Sequence, residues 1–277
     1  MKYIVAVSGG VDSVVLLNTL VKTNEHELIV AHFDHGIRED SADDARFVEG
    51  LAHHYSLAYE SKREELGEHT SELQARERRY SFLKSVTIKH GAQLVTAHHM
   101  DDMIETVAIN ISRGTGWRGL SVFGDQSIVR PLLELTKTHI LAYAQANKLE
   151  WVQDETNSSN AYMRNRTRKL LKSTSNEQKE VMRTLFVTQK KLKHEIDEEV
   201  RYFSGLRSRY FITMIPENVA IEILRSISYS QLTRPRLKEL LYAIKTLKPG
   251  KIMASGAGIT IRFTKQEFIV ENSSELL

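Results

Sequence analysis

Lys2-Tyr3-Ile4-Val5-Ala6-Val7-Ser8-Gly9-Gly10-Val11-Asp12-Ser13 puts an apolar run, a glycine turn and the start of an apolar helical run in direct succession. A buried strand, a tight turn and a helix N-terminus in that order make a cradle for an anion. The first N–H groups of a helix have no intrahelical partner, and the helix dipole adds partial positive charge there. Gly9 and Gly10 let the backbone approach a ligand closely. Ser8 and Ser13 add hydroxyl donors. The stretch is not the common GxxxxGK(S/T) nucleotide loop, because it is shorter and lacks the lysine. It carries Asp12 instead, and an acid beside a phosphate calls for a cation such as Mg²⁺ between them.

Outward from this stretch, strand and helix signals alternate over the first 150 residues. Strands are expected at 3–7, 28–33, 57–59 and 93–97, with a strand-like piece at 127–130. Helices are expected from 12 to about 23, at 41–55, 71–89, 101–113 and 136–147. Alternation of this kind predicts a parallel sheet covered by helices on both faces, a doubly wound α/β fold. Ligands in such sheets collect at the carboxyl ends of the strands. The SGGVDS, DHGIR and HHMDD stretches are all expected there. A charged amphipathic helix is predicted from Asn176 to Phe203, with Val181, Leu185, Leu192, Ile196, Val200 and Phe203 on its stripe. Beyond it, Tyr210–Pro216 reads as a short strand, 219–228 and 235–247 as helices, and 259–263 with 267–271 as a hairpin. The domain expectation is a catalytic domain at 1–175, a connecting helix at 176–204 and a small, mainly helical module at 205–277 ending in the hairpin.

The chain has 277 residues and no cysteine. Disulfides, thiolate metal sites and cysteine nucleophiles are therefore excluded, which fits a reducing cytoplasm. No run reads as a signal peptide or a bilayer span. The net charge of +3 hides an asymmetry. Residues 1–150 carry 16 Lys/Arg against 21 Asp/Glu, and the remainder carries 22 against 14. A basic second half suits a polyanion such as nucleic acid, or simply a basic soluble surface.

Several clusters carry chemistry. After the second strand, His32, Asp34, His35 and Arg38 stand where a core would be apolar, although Asp34 also fits a turn cap. Thr96-Ala97-His98-His99-Met100-Asp101-Asp102 leads into a helix on which Asp102 and Glu105 share a face. Acids in a first turn also fit N-terminal capping. A histidine–acid cluster without further spacing is weak evidence for zinc, and Mg²⁺ on Asp102 is more economical. Arg76 and Arg79 lie near Tyr80 on one helical face, suited to clamping phosphate or to a solvated charged surface. Arg113 and Arg118 flank a glycine-rich loop with Trp117. The run 162–172 holds three Arg and two Lys, suited to a nucleic-acid backbone.

SGGVDS resembles the loop of N-type ATP pyrophosphatases. Taken in order, SGGVDS, HFDHGIR, ARERRY, TAHHMDD, NISRGTGWRGL, RPLL and WVQDETNSSNAYMRNRTR, over about residues 3–172, resemble the tRNA(Ile)-lysidine synthase family. The resemblance implies an adenine nucleotide α-hydrolase-like, Rossmann-like sheet in a bacterial, cytoplasmic ligase. Its substrates would be ATP with Mg²⁺, free L-lysine and the isoleucine tRNA with a CAU anticodon, whose wobble cytidine becomes lysidine. Ser8, Gly9, Gly10, Val11, Asp12, Ser13, His32 and Asp34 would bind the nucleotide. Asp12 and Asp102 would hold the metal. Asp102, His98 or Glu105 would act as base, and Arg79 or Arg76 would stabilise charge near the phosphorus or position RNA. His35, Arg38, Arg113, Arg118, Asp154, Asn157, Arg164, Asn165 and Arg168 would face tRNA. Larger members carry a further C-terminal domain that this chain is expected to lack, and a homodimer is left open. A tRNA thiolase with the same loop would need cysteines. An ATP-gated RNA-binding protein would retain RNA without forming AMP.

Overall fold

The computed structural model describes residues 1–36, 41–67, 70–152, 167, 171, 174–228, 232–256 and 258–272. The chain divides into two compact units, Met1–Lys190 and Lys191–Leu277.

In the first unit, β1 (Lys2–Ala6), β2 (Glu27–Asp34), β3 (Ala58–Arg63), β4 (Gln93–Val95) and β5 (Ile128–Val129) form one sheet in the order β3-β2-β1-β4-β5. Every pairing is parallel, and Ile4 stands between Ile29 of β2 and Leu94 of β4. Side chains alternate between the two faces of a strand. Tyr3, Val5 and Val7 therefore join one core with α1 (Val11–Thr23), α2 (Ser41–His54) and α5 (Lys137–Ala146), through Leu16, Leu17, Val48, Ala52 and Ile140. Ile4 turns the other way, with Ile29, Phe33 and Leu94, onto Phe82, Leu83 and Val86 of α3 (Glu72–His90). A doubly wound sheet is thus what the alternation produces. Its strand order reverses between β1 and β4, and the chain leaves these neighbours at the same edge of the sheet.

Some local expectations are corrected. The helical spacing of Ile104, Val107 and Ile111 reads as one buried stripe of α4 (Met100–Ser112), and Leu73 as an apolar position of α3 with Leu83 and Val86, yet Ile111 and Leu73 are 59% and 64% exposed. The α4 face that packs turns through Met100, Met103 and Ile104 onto Val122 and Phe186. Phe186 lies on α6 (Asn176–Phe203), so that helix buries Phe186, while Val181, Leu185 and Leu192 of its expected stripe stay exposed.

In the second unit, Tyr210–Pro216 is not a strand. Ser208 accepts a hydrogen bond from the Phe211 N–H (3.3 Å) and starts α7 (Arg209–Met214), of which Ile212 is fully buried and Tyr210 and Met214 are exposed. Alternate apolar residues mislead here because one helical turn can present the same pattern. α8 (Glu217–Ile227) and α9 (Arg234–Thr246) follow. The hairpin gains a strand that the sequence reading omitted: β6 (Ile252–Gly256), β7 (Ile259–Phe263) and β8 (Phe268–Asn272) form an antiparallel sheet. Its core joins Ile261, Phe263 and Phe268 to Ile212, Leu224, Leu237 and Ile244. Among the described residues no helix is long and apolar enough to cross a membrane.

Arg209 ties this unit together. Its guanidinium donates to the carbonyls of Ile244 (2.9 Å), Leu247 (2.6 Å) and Thr264 (2.8 Å), closing the end of α9 and the β7–β8 turn at once. Orphan carbonyls at a helix end need such a partner. Arg209→Met is expected to lower unfolding stability by about 2–4 kcal/mol, read as a fall in the urea midpoint at unchanged slope.

Candidate functional site

The glycine turn after β1 is built from its own side chains. The Ser13 hydroxyl donates to the Gly10 carbonyl (2.8 Å) and accepts from the Ser8 N–H (3.2 Å). The Gly10 N–H points to the Ser8 hydroxyl at 3.4 Å. Gly9 adopts φ +91°, and a Cβ on it would meet the Val152 methyl at 3.4 Å. Gly10 stands at the N-cap of α1 in extended geometry with no side chain capping it. Val11 is buried, and Asp12 in the same turn is half-buried. The α1 N-terminus is thus left to a ligand, not to a side-chain cap.

β4 ends beside this turn, and His99 caps α4 there in extended geometry. Its imidazole is buried. Nε2 lies 3.7 Å from Asp12 and 3.5 Å from Asp102, and Nδ1 lies 3.8 Å from Asp101. Asp102 also accepts from the His99 N–H (3.1 Å), so the capping role and the site role fall on one carboxylate. α5 begins at the same place. Its Lys137 ammonium donates to Asp12 (2.6 Å), and the Lys137 N–H donates to Asp101 (2.7 Å). The Lys179 ammonium also donates to Asp101. Burial pushes the Asp12 carboxyl up, but His99 and Lys137 outweigh it and hold it below the usual carboxylate value. Burial likewise pulls His99 down, and Asp12 and Asp102 outweigh it and raise the imidazole. Asp101 is raised by burial and brought below its ordinary value by Lys179 and the Lys137 N–H.

The cluster Asp12–His99–Asp102–Lys137 therefore gathers the first turns of α1, α4 and α5. Of the residues expected from sequence, it contains Asp12 and Asp102. His99, Lys137, Lys179 and Asp101 were not among them; the histidine expected there was His98. The missed signal was a lysine directly after Thr136, which caps α5 through the His139 N–H (3.3 Å). A cation at a helix N-terminus opposes the dipole, so its presence needs a reason. Two carboxylates suit a hard cation that keeps waters and phosphate oxygens as its other ligands. Among the described residues no group of three or more His, Cys, Asp or Glu is arranged to hold a metal by itself.

The other expected residues that lie among the described ones have partners of their own. The His32 ring donates from Nδ1 to the Val7 carbonyl (2.9 Å), and its buried Nε2 has no hydrogen-bond partner among the described residues. Asp34 accepts from the Gly36 N–H (2.8 Å) and pairs with Arg63 at 3.2 Å, the turn-capping arrangement. His35 packs against Phe33, and burial, with help from Arg79, lowers its pKa. His98 Nδ1 meets the Thr96 hydroxyl at 2.8 Å, and its ring lies 4.9 Å from that of Phe123. Glu105 is buried one turn into α4. Arg76 and Arg79 stack on Tyr80 at 4.9 and 5.7 Å. Arg113 ends α4, and Arg118 stacks on Trp117 at 4.6 Å in a short 3₁₀ turn. Arg38, Asp154, Asn157, Arg164, Asn165 and Arg168 lie outside the described residues.

A model of the ATP-binding PP-loop domain matches residues 1–175, the part of the chain that holds the glycine turn and the His99 cluster. The chain belongs to the PP-loop family. Among curated relatives, a tRNA(Ile)-lysidine synthase of Enterococcus faecalis is 39% identical over 177 residues, 60% of this chain and 38% of that protein. One from Geobacter sulfurreducens is 41% identical over 181 residues, covering 60% and 38%. One from Thermotoga maritima is 38% identical over 175 residues, covering 58% and 42%. The chain thus spans about two fifths of the length of these relatives. Among solved structures, a U34-tRNA thiolase from Methanococcus maripaludis, determined with its 4Fe–4S cluster, superposes with a TM-score of 0.60 at 17% identity. That match covers 69% of this chain and 72% of the thiolase, a likeness of PP-loop fold alone.

The turn's geometry predicts the response to a single methyl group. Gly9→Ala places a side chain at φ +91° against Val152, and is expected to destabilise the first unit by about 1–3 kcal/mol in thermal or chemical unfolding.

Proposed function

We propose that this PP-loop protein joins lysine to the wobble cytidine of the isoleucine tRNA with a CAU anticodon, using ATP and releasing AMP and pyrophosphate. The observation that carries the reading is 38–41% identity to proteins named tRNA(Ile)-lysidine synthase, in a chain whose glycine turn meets the His99 cluster. The cytidine O2 attacks the α-phosphorus of ATP and pyrophosphate departs. The lysine ε-amine then adds at C2 and AMP leaves, with loss of one proton overall. The N–H groups of the turn and the first turn of α1 receive phosphate oxygens. Asp12 and Asp102 hold Mg²⁺, which supplies positive charge to the departing pyrophosphate when bound. Asp102, His98 or Glu105 accepts the proton of the amine. Arg76 or Arg79 faces the phosphorus or the RNA, and His35, Arg113 and Arg118 face the tRNA. A wobble base in an anticodon loop can be splayed out and read on its edges, which a duplex base cannot. The protein acts in the cytoplasm, with its substrates.

The test is incubation of the purified protein with ATP, Mg²⁺, radiolabelled lysine and bulk bacterial tRNA. Label in tRNA together with AMP is expected. If neither appears, the ligase reading fails. Asp102→Asn keeps an oxygen to accept from the His99 N–H, so α4 stays capped while the charge is lost. It is expected to cut lysine incorporation by at least about 100-fold and leave tRNA binding intact.

A further inference from the structure

We propose that Lys137 is the phosphate lysine of this site: the ammonium that pairs with Asp12 receives the β- and γ-phosphates of ATP and stays with pyrophosphate as it leaves. The proposal rests on ATP use by the PP-loop and not on the identity of the acceptor.

Three observations lead there. First, the glycine turn has no lysine, whereas the GxxxxGK(S/T) loop carries its phosphate cation within the loop itself. Lys137 delivers an ammonium to the same place from a different helix, 2.6 Å from the carboxylate in the first turn of α1. Second, Lys137 is the first residue of α5, with no acid in that first turn. The dipole disfavours a cation there unless an anion is close by. Asp12 provides one, and a bound polyphosphate would provide more. Third, the backbone of Lys137 is fixed while its ammonium is accessible. Thr136 caps the helix, the Lys137 N–H is bound to Asp101, and Asp101 is itself held by Lys179. The side chain nevertheless remains 38% exposed.

Asp12 cannot serve an ammonium and a divalent cation equally on one oxygen, because the two cations repel. With Asp12 engaged by Mg²⁺, the Lys137 ammonium would turn from that carboxylate to the phosphate oxygens. No bond to Lys137 forms or breaks. It changes its ionic partner from carboxylate to phosphate.

The experiment is calorimetric titration of the full chain with magnesium pyrophosphate and, separately, with AMP, for wild type, Lys137→Met and Lys137→Arg. Neither ligand requires tRNA or lysine, so a failed ligase assay leaves this test readable. Lys137→Met is expected to weaken pyrophosphate by about tenfold or more while AMP affinity changes by less than about twofold. Lys137→Arg is expected to restore most of the pyrophosphate affinity. Thermal unfolding of each variant checks the fold, and a Met variant that melts early while the Arg variant binds pyrophosphate normally still supports the proposal. Pyrophosphate binding by Lys137→Met within about twofold of wild type overturns it, making Lys137 a partner of Asp12 only. Equal loss of pyrophosphate and AMP overturns it too, as does a wild-type chain that binds no pyrophosphate.

Discussion

Parallel pairing of β1 with both β2 and β4 is the constraint on which the first unit depends. A parallel strand must hand its chain to a crossover at one edge of the sheet. β1 and β4 are neighbours, so the turns leaving them are neighbours too. The first opens α1 with Asp12, and the second opens α4 with His99 and Asp102. Residues far apart in sequence then share a few ångströms without a dedicated scaffold. The charges that collect there offset one another, three carboxylates against Lys137, Lys179 and His99.

The PP-loop fold was legible in the sequence because its signals are local. Strand 3–7, the double glycine and the apolar start of α1 follow directly along the chain, and hydrophobic runs alternate with 3.6-period stripes as far as α5. Two of the site's three carboxylates, Asp12 and Asp102, were legible for the same reason, each lying in the helix turn that follows its strand. Lys137 was not. Its partner Asp12 is brought to it by the packing of α1 against α5 through Leu16, Leu17 and Ile140, a contact with no local sequence mark. Asp34 shows the converse. It stands where a nucleotide ligand is expected, yet its oxygens are engaged by Gly36 and Arg63. The second unit was less legible. A single turn such as Arg209–Met214 is too short for periodicity to separate helix from strand, and the closing sheet gains β6 from a segment with glycine on both sides.

Val152 has a consequence for where the nucleotide domain ends. Its N–H donates to the Gly9 carbonyl at 3.0 Å, and its methyl covers the face of Gly9 on which a side chain would sit. The wall of the glycine turn is thus completed by a residue that follows α5. A fragment stopping at α5 would keep all five strands and every residue of the turn itself. It would still leave that carbonyl open to water and the turn free to relax. A fragment that keeps the glycine turn as it stands therefore has to reach the point where the chain returns to Gly9.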